Sequence, residues 1–273
     1  MKIKQLLSIA ALALAFTACD DIKEGDRYEQ MEVLSVARTV LLEEYTGQMC
    51  VNCPKAHEAI ESFEKLYGQN FISVSFHCGG DAFSIAENDP SWEGITVGLR
   101  NDESQKYGEQ ANAYSLPAGK VDRVTSLKNY DAWAEDIRTE LGKETPVNIE
   151  LAATLASDGT TIDIATTIKS SSNVSGKLQL WVVENGITAM QMLPNGDLDL
   201  EYVHNNVFRG SVNGMGGEAV NIQSGVHGEF QHTAAVKDWW KAENLAIVAF
   251  VYNDGGVLQA ARAKVSAANA PAE

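Results

Sequence analysis

The chain has 273 residues, 45% apolar and 21% charged, with a formal net charge of −16. That length suits one large domain or two ordinary ones. The acidic balance repels phosphate backbones and argues against a nucleic-acid partner, and past the N-terminal segment no apolar run is long enough for a transmembrane helix.

Lys2 and Lys4 precede "LLSIAALALAF", a charged region and a short apolar region that together read as an export signal over residues 1–18. The following "FTAC" resembles a lipoprotein signal, whose cleavage frees Cys19 for lipid attachment, with Phe16 standing where Leu is usual. An ordinary secretory cut nearby is the alternative. Either route exports the chain to where disulfides are permitted, and acylation would anchor it rather than make it span. Loss of Lys2 and Lys4 leaves 19 basic against 37 acidic residues. Residues 19–34 contain "DDIKEGDRYEQMEV", a polar acidic tether. It resembles the acidic export signals of Bacteroidetes surface lipoproteins, with a plain spacer as the alternative.

From residue 35 to 145 strands and helices alternate. "SVARTVLLEEY" (35–45) reads as a buried strand that Gly47 ends. "PKAHEAIESFEKLYG" is helical from Pro54, with Ala56, Ala59, Ile60, Phe63 and Leu66 on one face and Gly68 as the stop. Pro54 suits a first helical turn. "NFISVSFHC" (70–78) is a second strand. A polar stretch (79–98) and a partly helical one (99–115) follow, of which the resemblance described below makes about 79–112 an insertion. "AGKVDRV" (118–124) is a third strand, and "NYDAWAEDIRTELGKE" (129–144) is an amphipathic helix with Trp133, Ile137 and Leu141 four apart. This order predicts an α/β sheet with helices on its faces.

Beyond Thr145-Pro146 nearly everything reads as strand. "VNIELAATLA" (147–156) and "TIDIATTIK" (161–169) alternate, and "KLQLWVVEN" (177–185) follows. A long loop runs to residue 211. "EAVNI" and "EFQHT" are short strands, "AAVKDWWKAEN" (234–244) a helical turn, and "LAIVAFVYNDGGVLQAARAKV" (245–265) a hairpin. About seven strands make a β-sandwich over 146–266 the expectation. The tail 267–273 reads as frayed.

"YTGQMCVNCPKAH" places Cys50 and Cys53 three apart at the junction of strand and helix. Unpaired N–H groups at a helix start favour a thiolate, so Cys50 reads as an exposed nucleophile and Cys53 as the resolving thiol. Glu44 at the end of the strand is a candidate proton acceptor, or else a carboxylate at a strand edge. Pro117 in "SLPAG", if cis and facing the cysteines, would expose a backbone edge to a substrate; a trans proline in a turn is the alternative. His77 and Cys78 end the second strand, on the side of an α/β sheet where sites lie. They are accessory candidates, as a third redox thiol or in a zinc set of Cys50, Cys53, Cys78 and His77 or His57. A single C-x-x-C makes the metal reading weak, and no metal is expected. Cys78 reads otherwise as a small buried residue, and His57 as exposed or capping. A structural Cys50–Cys53 staple is the remaining reading, although so short a loop gains little from chain entropy.

Residues 35–145 resemble the thioredoxin-like superfamily: a strand ending near Glu44, Cys50-Val51-Asn52-Cys53 opening a helix, and Leu116-Pro117 before a later strand. Met49 stands where Trp is usual, and Val51-Asn52 where Gly-Pro is common. More narrowly, "EEYTGQMCVNCPKAHE", "LPAGKVDR", "HNNVFRG" and "AFVYNDGGVLQAA" resemble a Bacteroidetes outer-membrane lipoprotein family named for a twenty-eight-kilodalton outer-membrane antigen. The resemblance implies a thioredoxin-like domain followed by an immunoglobulin-like sandwich, lipid-anchored at Cys19 to the periplasmic or cell-surface face of the outer membrane. It implies little about activity.

Two functions follow: thiol-disulfide exchange with exported proteins, or non-enzymatic binding of a protein or glycan at the surface. For binding, His204, Asn205, Asn206 and Arg209 form either a ligand patch or a polar loop satisfying its own backbone. Trp239-Trp240 is either a glycan-stacking platform or core. No Ser-His-Asp elbow, HExxH, phosphate-binding Gly-rich loop or calcium loop is present, and no cofactor is expected. The sequence leaves the oligomeric state open.

Overall fold

The computed structural model describes residues 36–267. The expected signal peptide, Cys19, the tether and nearly all of the tail lie outside them. Strand β1 (Val40–Thr46) leads through a tight turn into α1 (Cys53–Tyr67) and returns as β2 (Phe71–His77). Short 3-10 turns fill the insertion as far as α2 (Asp102–Ala111), followed by β3 (Ala118–Val121) and α3 (Trp133–Leu141). The expected β-α-β, insertion, α-β-α order is present.

The strands past Pro146 are β4 (Val147–Leu155), β5 (Thr161–Ser170) and β6 (Val174–Glu184). The stretch expected as one long loop holds four two-residue strands: β7 (Ile187–Thr188), β8 (Gln191–Met192), β9 (Leu198–Asp199) and β10 (Val203–His204). It ends in a fifth, β11 (Val207–Ser211), then β12 (Glu218–Ile222) and β13 (His227–Ala235). β13 is longer than "EFQHT" and takes Ala234 and Ala235 from the expected helical turn, of which only a 3-10 turn at Ala242–Asn244 is helical. The hairpin β14 (Leu245–Asn253) and β15 (Gly256–Lys264) forms as expected, and β16 (Ser266–Ala267) closes the described chain.

Two large sheets result. The first runs β15-β14-β6-β11-β2-β1-β3, with β12 paired to β6; the second runs β13-β5-β4-β16. The first sheet crosses the boundary expected at residues 145–146, because β11 pairs in parallel with β2 and antiparallel with β6. The sequence alternation of β4 and β5 turns Val147, Ile149, Ile162, Ile164 and Ile168 onto Leu178, Leu180, Val182, Ile247 and Val251 of the first sheet. Over β1–β3, α1 and α3 cover one face through Ala56, Ile60, Trp133 and Ile137, packed on Val40, Leu42 and Val121. Leu66, expected on the buried face of α1, is 69% exposed. The opposite face carries α2, where Phe76, Tyr107, Trp181 and Phe208 form an aromatic cluster with centroids 4.7 to 5.9 Å apart.

Gly119 in β3 is required by close approach: a Cβ there would meet the Trp133 indole at 2.6 Å. Helix α2 starts with a capping box, in which Asn101 Oδ1 accepts from the Ser104 N–H at 2.9 Å and Ser104 Oγ accepts from the Asn101 N–H at 3.0 Å. Asn101→Ala is expected to cost about 1 kcal/mol, read as a lower urea midpoint at unchanged slope.

Candidate functional site

The turn between β1 and α1 is held from three directions. Gly47 sits against Phe83 O and Ser84 Oγ, leaving no room for a Cβ, and Met49 N–H donates to Phe83 O at 2.8 Å. Buried Gln48 donates to Val97 O (3.0 Å) and Met190 O (3.3 Å) and accepts from Leu99 N–H (3.1 Å). From the far half of the chain, Gln191 Nε2 donates to Cys50 O at 3.1 Å and Met192 N–H donates to Gln48 O at 2.7 Å. The insertion and the β8 segment together seat the cysteine loop.

Cys50 and Cys53 form a disulfide, with Cα atoms 5.4 Å apart. Helix α1 begins at Cys53 itself, behind Asn52 and ahead of Pro54. The expected exposed nucleophile is a correction: Cys50 is only 3% exposed and Cys53 is fully buried, because the 190–192 segment packs over the turn. Both belong to one apolar cluster with Cys78, Ala113 and Leu116. The Leu116–Pro117 bond is cis. Pro117 leads into β3, whose Ala118 pairs with Tyr45 of β1. Asn52, between the cysteines, lines a groove of ≈ 450 Å3 together with Ser115, Leu116 and Pro117. The two segments that the sequence singled out therefore share one opening.

Cys78 is buried, and burial pushes its thiol up to about 12, with the Glu44 charge adding to the rise. It is a neutral thiol at ordinary pH, in the same apolar cluster as the disulfide. Glu44 is fully buried rather than at a strand edge. It accepts from Ser75 Oγ at 2.5 Å, and burial raises its carboxyl to about 7 against the ordinary 4.5, with the Ser75 and Thr46 hydrogen bonds opposing.

His57, expected as exposed or capping, lies over Glu44. Its Nε2 is 3.0 Å from Thr46 Oγ1 and 3.4 Å from Glu44 Oε1, and its Nδ1 is 2.8 Å from the Tyr202 hydroxyl. His204 packs edge-on to His57 and His77, with centroids 6.1 and 5.4 Å away. Burial holds His57 down to about 3 and His204 to about 4, and pushes His77 well below the imidazole range. These rings are neutral near pH 7. Among the described residues, no group of three or more His, Cys, Asp or Glu side chains is placed to hold a metal ion.

The loop cluster read as a possible patch splits. His204, Asn206 and Arg209 are buried. Asn206 Nδ2 donates to Glu64 Oε1 and Ser73 Oγ, both at 2.9 Å, so these side chains lock the loop to α1 and β2. Trp240 is buried and Trp239 is 51% exposed. Sequence reasoning missed Gln191 and Tyr202, which no local pattern marks. The i, i+4 spacing of Cys53 and His57 was the one available signal for His57.

A helix-opening Cys-X-X-Cys disulfide, seated by the insertion and by a segment of the far half, defines an oxidised dithiol protein of mixed α/β class. Residues 104–269 match the family described as Outer membrane protein Omp28. The chain belongs to the Omp28 family and is an outer-membrane protein. Among the described residues, no helix is long and apolar enough to cross a membrane. The fold is similar to HBP35 of Porphyromonas gingivalis, with a TM-score of 0.64 and 17% identity over 88% of this chain and 79% of that one. It is also similar to protein AGR_C_4864 from Agrobacterium tumefaciens, with a TM-score of 0.50 and 14% identity over 87% of this chain and 98% of that one. A domain of the outer membrane lipoprotein Omp28 from Porphyromonas gingivalis is 24% identical over 46% of this chain and 92% of that domain, at a TM-score of 0.33. No curated protein matches the chain.

Proposed function

We propose that this chain is a lipoprotein, anchored to the outer membrane through Cys19, that exchanges disulfides with exported proteins through a thioredoxin-like N-terminal half. The observation that carries the reading is the groove in which Asn52, between the two cysteines, faces Ser115, Leu116 and Pro117. A substrate chain laid in that groove runs past Asn52, the residue between Cys50 and Cys53. In the reduced protein, the Cys50 thiolate attacks a substrate disulfide, forming a mixed disulfide and releasing one substrate sulfur. Cys53 then gives up its proton and attacks Cys50 Sγ, closing the Cys50–Cys53 bond and freeing the substrate dithiol. Two electrons pass to the substrate, and a dithiol donor resets the pair. Glu44 takes the Cys53 proton.

The test is a trap. In the exported, dithiothreitol-reduced protein, Cys53→Ser is expected to retain a disulfide-bearing protein such as insulin as a mixed disulfide that excess dithiothreitol releases. Cys50→Ser is expected to retain none and to lose all dithiol-driven insulin turnover. Absence of any adduct with Cys53→Ser, together with equal turnover by wild type and Cys50→Ser, overturns the reading. That outcome favours the second one, a non-enzymatic binding lipoprotein with Cys50–Cys53 as a staple, for which the 3% exposure of Cys50 is the supporting observation.

A further inference from the structure

Cys53 must lose or gain a proton in a place water does not reach, and so must Glu44. Glu44 is fully buried and, among the described residues, has no lysine or arginine partner. The groups facing it are Ser75 and His77 from β2, Thr46 from its own strand, His57 from α1, Cys78 beyond β2, and His204 and Tyr202 from the far half. β3 offers only Gly119 and Ala118 across the strand pair. Among these groups, one line of close polar contacts leads out of the interior, its inner Glu44–His57 step an approach without a hydrogen bond and its outer His57–Tyr202 step a hydrogen bond. It runs from Glu44 Oε1 to His57 Nε2 (3.4 Å), with Thr46 Oγ1 alongside at 3.0 Å, and from His57 Nδ1 to the Tyr202 hydroxyl at 2.8 Å. Tyr202 is partly exposed. Cys53 and His57 are four residues apart on α1, so they stack on one helix face.

We propose that His57 and Tyr202 are positioning residues that pass the proton between Glu44 and solvent when Cys53 ionises, so that a side chain of the C-terminal half sets the rate of the resolving step. The proposal rests on the exchange reading above. Its chemistry needs an imidazole that both donates and accepts, which only the neutral ring does, and burial keeps His57 neutral. In the resolving step the Cys53 S–H proton passes to Glu44. Glu44 passes a proton to His57 Nε2 as His57 Nδ1–H passes one to the tyrosine oxygen, whose own proton goes to water. Glu44 ends ionised as it began, His57 ends neutral in its other tautomer, and the proton is in solvent.

The experiment uses the reduced full-length soluble chain, with serine in place of Cys19, mixed with 4,4′-dithiodipyridine. Release of the first thiopyridone reports attack by Cys50, and release of the second reports resolution by Cys53. Cys53→Ser marks the second phase by removing it. Tyr202→Phe keeps the ring and is expected to leave the first phase and the thermal midpoint unchanged while slowing the second phase about tenfold and altering its pH profile. His57→Gln, which keeps hydrogen bonds but cannot relay by changing tautomer, is expected to do the same. Second phases equal to wild type in both variants overturn the relay and leave the exchange reading standing. A wild-type protein with no first phase removes the exchange reading, and the relay with it.

Discussion

Arg209→Ala is expected to destabilise the fold by roughly 3–5 kcal/mol, the range for removing one partner of a buried ion pair. Arg209 lies in a bulge of β11: Phe208 pairs with Val183 and Gly210 with the next residue, Val182, leaving Arg209 as the extra residue. The bulge aims its side chain at two carboxylates. Arg209 Nε donates to Glu184 Oε2 at 2.7 Å and Nη1 donates to Glu87 Oε1 at 2.9 Å. Arg209 and Glu184 are buried, at 3% and 2% side-chain exposure, and Glu87 is partly buried, at 9%. Glu87 keeps Lys237 at 3.0 Å when the guanidinium goes. Glu184 retains only the backbone N–H of Lys241, so its charge bears most of the cost. The double variant Arg209→Met/Glu184→Gln removes both charges and keeps an acceptor for Lys241, and it is expected to recover at least half the loss. Guanidinium unfolding of the three proteins checks this. Equal midpoints for wild type and Arg209→Ala would mean that the pair is solvated in solution. A double variant as weak as the single would place the cost in lost packing against Trp240, whose ring lies 5.9 Å from the guanidinium.

The same bulge explains a limit of the sequence. β4 and β5 were legible because one face is apolar and the other wet, so the period of two is written in Val147, Ile149, Ile162 and Ile164. α1 and α3 were legible from their three- and four-residue spacings. β11 was not: "VFRGS" is short, carries a charge and a glycine, and forms only because β2, some 130 residues earlier, and β6 leave a slot between them. Its pairing makes one sheet of strands from both sides of Pro146, and no local pattern encodes a parallel contact at that separation. The site divides in the same way. Cys50, Cys53, Glu44, Pro117, His77 and Cys78 announce themselves by residue type and place in the strand–helix order. Gln191 and Tyr202 are ordinary polar residues in an irregular stretch, and their roles come from where the tertiary fold lays that stretch. Burial of Cys50 was missed for the same reason, since the segment that covers it lies 140 residues on.

Glu44→Gln is expected to stabilise the protein at pH 8 by about 3 kcal/mol, and to do almost nothing at pH 4. The carboxyl is held at about 7 in the fold against 4.5 in the unfolded chain, and each pKa unit is worth about 1.4 kcal/mol. A raised carboxyl pKa means that the folded chain keeps a proton that the unfolded chain has released. Stability therefore falls as pH rises through 4.5, and the loss is complete above 7. Asp122, raised by burial to about 6, contributes in the same direction below that pH, while His57 and His204, held neutral by burial, weaken the fold as pH falls below 6.5. Subtracting the variant's stability curve from that of wild type cancels Asp122 and His204 and leaves Glu44 together with any change in its 3.4 Å neighbour His57. The amide accepts from Ser75 as the carboxylate does, so packing is kept. At pH 8 a gain of 3 kcal/mol appears as a thermal midpoint roughly 6–12 °C higher, the range for a domain of this size. A gain independent of pH between 4 and 8 would show that Glu44 is not the titrating group. With the expected result, this chain tolerates a destabilising carboxylate buried in β1, the strand that leads into the disulfide turn. Such a carboxylate is the proton acceptor that the proposed resolving step of Cys53 calls for.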